Sequence, residues 1–297
     1  MPIRPGLDML AAPLFVVLWS TGFIGAKLGL SHAEPLTFLT LRFALVAPLL
    51  ALWVWLSRAP WPSLRQTGEA AVIGVLLHAI YLSGVFAAID LGLEAGLAAL
   101  IVGLQPVATA LFARAVLGER LWRVQWLGMA FGFGGVALVV TRKLGAGVGD
   151  WRGVALCLGS LLAISLASTL QKRWAGRHPM RGSTAAQFAA SFLFLLPFAL
   201  VLETNEVDWT GEFVFSLGWL VLVLSVGAVM LLFTLIRRGV ATKVASLFFL
   251  VPASTALIAW VLFGETLGPL ALAGVALTAL GVLMVNRPEL FGTRAGS

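Results

Sequence analysis

Ten apolar segments, each close to the length of a membrane-spanning helix, follow one another along this chain of 297 residues. A helix of roughly 17–25 residues crosses the hydrocarbon core and satisfies its own backbone hydrogen bonds there. The sequence therefore predicts an all-α membrane protein with ten transmembrane helices. The segments are Ala11–Leu28, Phe38–Leu56, Ala70–Ile89, Ala95–Leu117, Val124–Val140, Val154–Leu170, Ala185–Leu202, Val214–Ile236, Val244–Phe263 and Leu270–Val285.

Composition excludes a water-soluble fold, because 60% of the residues are hydrophobic and 11% are charged, against about 25% charged in soluble domains. The lipid bilayer is the expected partner of that apolar surface. The net charge of +7 does not point to nucleic acid, since no basic run alternates with stacking aromatic residues. The single cysteine, Cys157, lies in an apolar segment and is predicted to be a packing residue, so no metal or other cofactor is expected.

The distribution of positive charge predicts the orientation. When the N-terminus is placed inside, most of the 20 Lys and Arg residues fall in loops on the same side, and the acidic residues concentrate on the other. Loops rich in Lys and Arg stay in the cytoplasm. Both termini are therefore expected there, with the first apolar segment retained as a helix. Arg142, Lys143 and Arg152 are the exceptions that fall outside.

The chain contains an internal repeat, visible when it is shifted on itself by 146 residues. Two five-helix repeats are predicted, at residues 1–143 and 144–297. An odd number of helices makes the second repeat enter from the opposite side. Inverted repeats are typical of secondary transporters, whose substrate site lies near the midplane between the repeats. The matching positions are Pro106 with Pro252, Gly118-Glu119 with Gly264-Glu265, Gly128 with Gly274, and Gly135 with Gly281.

Polar side chains within the segments are candidates for a binding site, because burial in lipid makes them costly. His78 and Tyr81 are three residues apart and share a helix face. They are predicted to offer an imidazole and a phenol to a central cavity, or else to form a helix–helix hydrogen bond. Gln105 precedes Pro106, whose ring frees a backbone carbonyl for a substrate; packing is the alternative.

Further candidates lie on the first two helices. Trp19 is predicted to form part of a cavity wall, and Ser20 and Thr21 lie beside it, next to glycines that suit close helix packing. Arg42 either binds a substrate carboxylate or snorkels to the nearby outer surface, and its position favours snorkelling. The second half supplies a matching set of candidates: Ser165, Ser168, Ser246 and Phe248, although Phe248 also suits a lipid-facing position.

Charged residues at the helix ends are predicted to have structural roles. Lys27 and Lys172 are predicted to anchor helices at the interface, and Glu119 and Glu265 to fix the turns that follow or to pair with neighbouring arginines. No Asp or Glu lies within a helix core, so a carboxylate relay for protons is missing. Transport is expected to be facilitated diffusion, exchange, or proton coupling through His78, since histidine titrates near pH 6.5.

Four short motifs follow one another in the chain: Trp19-Ser20-Thr21-Gly22 with Lys27, Leu41-Arg42-Phe43, Gly118-Glu119-Arg120 and Gly264-Glu265-Thr266. In their order, duplication and spacing they resemble the drug/metabolite transporter superfamily in its ten-helix EamA-type branch, over about residues 10 to 286. The resemblance implies a bacterial inner-membrane exporter of amino acids, aromatic ones included, and a central cavity among helices one, three, four, six, eight and nine. It also leaves open the sugar phosphates, nucleotide sugars and drugs that sister branches carry.

The expected partner is thus a small amphipathic solute, and the expected assembly a monomer or weak homodimer. A sugar phosphate would require several buried Arg or Lys residues, and a cationic drug would favour a buried carboxylate. A membrane enzyme is the competing class. It would require converging acids, histidines or a metal site, and the sequence offers only His32, His78 and His178.

Overall fold

The computed structural model describes residues 5–145, 147, 149–174, 176–231, 250–265 and 268–291, with side chains from residue 14 onward except that of Leu250. This part of the chain forms helices joined by short loops. The helices are α1 (Pro5–Gly29), α2 (Pro35–Leu56), α3 (Leu64–Asp90), α4 (Ala95–Leu117), α5 (Arg123–Gly145), α6 (Trp151–Arg173), α7 (Met180–Leu202), α8 (Gly211–Leu231), α9 (Leu250–Phe263) and α10 (Pro269–Asn286).

Eight of these helices are long and apolar enough to cross a membrane, and α1 and α9 have shorter apolar parts, Leu14–Gly29 and Val251–Phe263, within the described residues. The prediction of an all-α membrane protein is confirmed. Helices α5 and α6 run further than their apolar segments, to Gly145 and Arg173. Their last turns carry basic residues, which favour a helix C-terminus, so the helical hydrogen bonding continues beyond the apolar stretch.

Helices α5 and α10 pack against each other through glycines. A Cβ atom on Gly128 would lie 2.6 Å from the carbonyl oxygen of Gly281, and one on Gly135 would lie 2.5 Å from that of Gly274. Small residues allow such close approach of backbones in a membrane. The two contacts run in opposite chain directions, so α5 and α10 are antiparallel.

Helices α2 and α7 also pack side by side, and the loops at one end tie them together. The Glu203 carboxylate accepts hydrogen bonds from the backbone N–H of Leu36 (2.8 Å) and of Thr37 (2.6 Å). In return, Glu34 accepts hydrogen bonds from the backbone N–H and hydroxyl of Thr204, both at 2.7 Å. Each carboxylate therefore accepts hydrogen bonds from donors that belong to the other half of the chain.

Three helices depart from regular α geometry near the middle of the bundle. Helix α3 contains a π-helical section at Val75–Ile80, α8 contains another at Trp219–Ala228, and α4 is interrupted at Gly103 and Leu104 before it resumes at Gln105. The two π-helical sections overlap when the chain is shifted by 146 residues. Such sections are frequent at functional sites, because the wider turn changes the direction in which side chains point.

Candidate substrate-binding cavity

A cavity of about 100 Å³ lies where the irregular sections of α3 and α8 face α1. Most of its wall is apolar or aromatic. The polar residues in the wall are Arg42, His78, Tyr81 and Ser225. Among the described residues of the wall, Arg42 alone carries a fixed charge. Such a cavity suits a solute with a large apolar part and few polar groups.

A smaller cavity of about 40 Å³ adjoins the first and shares Trp19, Phe23, Tyr81 and Ile164 with it. It extends between α4 and α9, where Gln105 belongs to its wall. The two cavities together are bordered by the six helices that the family resemblance implies. They also take in α2 and α7, which the resemblance did not imply, through Arg42 and Phe188.

His78 and Tyr81 both line the main cavity, on the face that their spacing predicted. The His78 ring stacks on that of Phe188, with ring centroids 4.0 Å apart. Its Nε2 atom has no hydrogen-bond partner within the described part of the chain. The π-helical section that contains His78 places its ring beside α7, while Tyr81, one turn later, faces both cavities.

Arg42 does not snorkel, contrary to the interpretation that its position favoured. It is only 5% exposed, and its Nε and Nη2 atoms donate to the Ser225 hydroxyl at 3.1 and 2.9 Å. Helix α2 presents this side chain towards α8 rather than towards lipid. The guanidinium is therefore held inside the bundle, in the cavity wall.

Trp19 lines both cavities, but its neighbours serve to hold helices together. The Ser20 hydroxyl is fully buried; it lies 2.9 Å from the carbonyl oxygen of Val16 in its own helix and 3.4 Å from that of Val251 in α9. The Thr21 hydroxyl accepts a hydrogen bond from the indole N–H of Trp219 at 2.9 Å. These contacts give Ser20 and Thr21 packing roles in the structure.

Gln105 connects α4 to α6. Its side-chain amide donates to the Ser168 hydroxyl at 2.9 Å, and its backbone carbonyl oxygen accepts a hydrogen bond from the Ser165 hydroxyl at 3.4 Å. The structure therefore brings together three predicted residues, in a hydrogen-bonded group at the edge of the smaller cavity. Ser246 and Phe248, the other candidates of the second half, lie outside the described residues.

The sequence interpretation missed several residues of the wall, among them Phe188, Leu224 and Ser225. The repeat could have indicated two of them. A shift of 146 residues places Arg42 on Phe188 and His78 on Leu224, so both halves contribute the same positions to the cavity. Phe188 and Leu224 are apolar, so polarity does not distinguish them from lipid-facing residues in the sequence.

A mostly apolar cavity between the helices of a membrane-spanning bundle is the arrangement of a membrane transporter. No group of three or more potential metal ligands is found within the residues that the structure describes. Comparison with known proteins agrees with this class. The chain belongs to the EamA-like transporter family, whose sequence profile matches residues 7–141 and again residues 151–287.

Relatives cover almost the whole chain. An uncharacterized transporter, YvbV, of Bacillus subtilis is 31% identical over 91% of this chain and 88% of its own length. A probable amino-acid metabolite efflux pump of Salmonella typhimurium is 30% identical, over 97% of this chain and 96% of its own. An uncharacterized inner membrane transporter, YedA, of Escherichia coli is 23% identical over 91% of this chain and 87% of its own.

One crystal structure aligns with 97% of this chain and 99% of its own, with a TM-score of 0.67 and 19% sequence identity. At that identity the likeness shows a shared fold. The fold is therefore known from experiment in a distant protein.

Proposed function

We propose that this chain exports amino acids, aromatic ones included, across the bacterial inner membrane by alternating access. The cavity between α1, α3 and α8 is the proposed binding site, and both termini are proposed to lie in the cytoplasm. The transport unit is a monomer or weak homodimer of the two repeats, residues 1–143 and 144–297. It needs no cofactor and performs no enzymatic reaction.

The chemistry of the cavity is the observation that carries this proposal. Its wall combines the aromatic rings of Trp19, Phe23 and Tyr81 with one buried guanidinium, that of Arg42. A sugar phosphate or nucleotide sugar would be matched by several cationic side chains, and the described wall holds one. The wall holds no Asp or Glu among its described residues, so a cationic drug would lack a counter-charge there.

The relatives support the same substrate class. The Salmonella typhimurium and Escherichia coli proteins named as probable amino-acid metabolite efflux pumps match 97% of this chain. Family membership alone leaves the substrate open, and these names favour amino acids over the other solutes of the superfamily.

Two features support alternating access by inverted repeats. The family profile matches each half separately, and the antiparallel glycine contact joins repeat-related positions of α5 and α10. Gly128 meets Gly281 and Gly135 meets Gly274, which is the pattern that a two-fold axis in the membrane plane produces. Rocking of one repeat against the other would then expose the cavity to each side in turn.

Counterflow in proteoliposomes tests the proposal. The purified chain is reconstituted into vesicles loaded with unlabelled phenylalanine, and uptake of labelled phenylalanine is measured against protein-free vesicles. Leucine, a hexose phosphate and a cationic dye serve as comparison solutes. Saturable uptake of amino acids is expected. Uptake of the phosphate or the dye in place of amino acids would contradict the substrate assignment, and the absence of uptake for every solute would contradict transport.

A further inference from the structure

The Arg42 guanidinium is buried without an opposing charge among the described residues. It lies about 10 Å from the start of α2, at 1.5 Å per residue, and is 5% exposed. The side chains of all acidic residues except Asp8 are described, and none of them pairs with Arg42. Its hydrogen bonds from Nε and Nη2 both go to the neutral Ser225 hydroxyl.

Within the described part of the chain, this arrangement leaves most of the hydrogen-bonding capacity of the guanidinium unused. The group has five N–H donors in a planar fork that matches a carboxylate, and two donors account for the contacts with Ser225. A charge held in an apolar interior without a partner costs several kcal/mol. An anion that enters the cavity would offset that cost, and the Ser225 hydroxyl would keep the fork in place to meet it.

The two halves of the chain contribute equivalent positions to the cavity wall, but the side chains at these positions differ in polarity. Arg42 corresponds to Phe188 in the second half, and His78 corresponds to Leu224. One copy of each position is therefore polar and the other apolar. A solute with a carboxylate at one end and an apolar group at the other matches this division, whereas a dicarboxylate would leave its second charge against an apolar wall.

We propose that Arg42, positioned by Ser225, binds the carboxylate of the transported solute, while the apolar part of the solute lies against Trp19, Phe23 and Tyr81. The proposal rests on the function proposed above and narrows it to monocarboxylates and zwitterions. Under this assignment the carboxylate is the required group, and an amine or amide of the same shape is rejected because it cannot neutralise the guanidinium.

The requirement for a carboxylate is tested on the unmodified protein with phenylalanine and two compounds that each differ from it in one group. Uptake of labelled phenylalanine is measured in competition with 3-phenylpropionate, which keeps the carboxylate, and with phenylalaninamide, which lacks it. The carboxylate-bearing compound should compete, and the amide should be weaker by about ten- to a hundredfold, as expected for a charge-assisted contact of about 1.5–3 kcal/mol. Equal competition by the amide overturns the inference and leaves amino-acid transport intact.

Variants then assign the effect to Arg42. Arg42→Gln should raise the KM for phenylalanine by a similar factor and abolish the preference over phenylalaninamide, which a purely structural defect would not do. Arg42→Lys keeps the charge without the planar fork and should restore part of the preference. Ser225→Ala should weaken phenylalanine binding less than Arg42→Gln does. Arg152→Gln, at an exposed arginine, is the matched control and should change none of these values.

A binding measurement that needs no transport distinguishes failure of this inference from failure of the proposed transport function. The thermal stability of the purified protein is measured with and without 3-phenylpropionate, so that no transport is required. Stabilisation of the unmodified protein that disappears in Arg42→Gln supports the site even if counterflow fails. Equal stabilisation of both proteins, or a preference for carboxylates that persists in Arg42→Gln, overturns the assignment. If Arg42→Gln does not fold, Arg42→Lys and Ser225→Ala give the same test with smaller changes.

Discussion

Lys27 and Glu265 form an ion pair, with Nζ 2.6 Å from Oε1, that joins the first half of the chain to the second. Lys172 and Glu119, which stand at the equivalent positions of the repeat, form another at 2.5 Å. Because the chain reverses direction with each helix, the two pairs lie at opposite ends of the bundle. The two lysines were expected to contact lipid headgroups, and the two glutamates to fix the turns that follow or to pair with neighbouring arginines. In the structure they pair with each other across the two halves of the chain.

The two pairs should differ in strength. Glu265 is 8% exposed and also accepts hydrogen bonds from the backbone N–H of Ala95 and Gly96, whereas Glu119 is 42% exposed. A double-mutant cycle of Lys27→Met and Glu265→Gln should give a coupling energy above the roughly 0–1 kcal/mol of a surface pair. Thermal unfolding of the purified protein measures it. The same cycle on Lys172 and Glu119 is the control, and equal couplings would contradict this prediction.

The glycine contact between α5 and α10 predicts opposite effects on thermal stability for alanine substitutions at two adjacent residues. Gly135→Ala would place a methyl group 2.5 Å from the Gly274 carbonyl oxygen, whereas Gly134→Ala meets nothing within 4 Å. Overpacking costs typically about 1–3 kcal/mol, and alanine otherwise favours a helix over glycine. Gly135→Ala should therefore lower the melting temperature, and Gly134→Ala should leave it unchanged or raise it. The reverse order would show that the helices do not pack through this face.

The aromatic wall of the cavity predicts a graded series at Tyr81. Tyr81→Ala removes a ring that faces both cavities. An aromatic pair contributes about 0.5–1.5 kcal/mol beyond its buried area, so the KM for phenylalanine should rise by about two- to tenfold. Tyr81→Phe keeps the ring and should have a smaller effect. Leu257→Ala, at a residue 60% exposed on the outside of α9, is the control, and an unchanged KM in Tyr81→Ala would remove this residue from the site.

The absence of acidic residues from the described wall predicts transport without an imposed ion gradient. Counterflow of labelled phenylalanine should proceed at equal pH on both sides and without sodium, since no carboxylate there carries a coupling cation. If a pH gradient accelerates transport, His78→Gln should remove that acceleration, because His78 is the titratable imidazole of the wall. An absolute requirement for a gradient in the unmodified protein would refute this prediction.

The orientation of the helices can be read from two exposed loop tryptophans. Trp61 precedes α3 and is 54% exposed, and Trp209 precedes α8 and is 62% exposed. In a Cys157→Ala background, a membrane-impermeant maleimide applied to intact cells should label Trp209→Cys and not Trp61→Cys. Cys157 is buried, so the unmodified protein is the low-labelling control. Labelling of both positions, or of Trp61→Cys alone, would contradict the proposed orientation.

The sequence by itself determined the all-α membrane class and the positions of the helices that the structure describes. A chain in lipid must satisfy each backbone hydrogen bond locally, so that apolar length is enough to predict a spanning helix. The repeat of prolines and glycines also indicated which residues stand at equivalent positions, such as Gly135 and Gly281. The helix ends were less certain, because polar residues at Thr141–Gly145 continue a helix once it has begun.

Only the tertiary structure decided where the polar side chains go. Whether Arg42 reaches lipid or the cavity depends on the rotation of α2 about its axis, and that rotation is set by packing against α7 and α8. Its partner Ser225 is 183 residues away in the chain, and a π-helical section determines the direction of that serine. Contacts of this kind arise from long-range packing, which local sequence patterns do not encode.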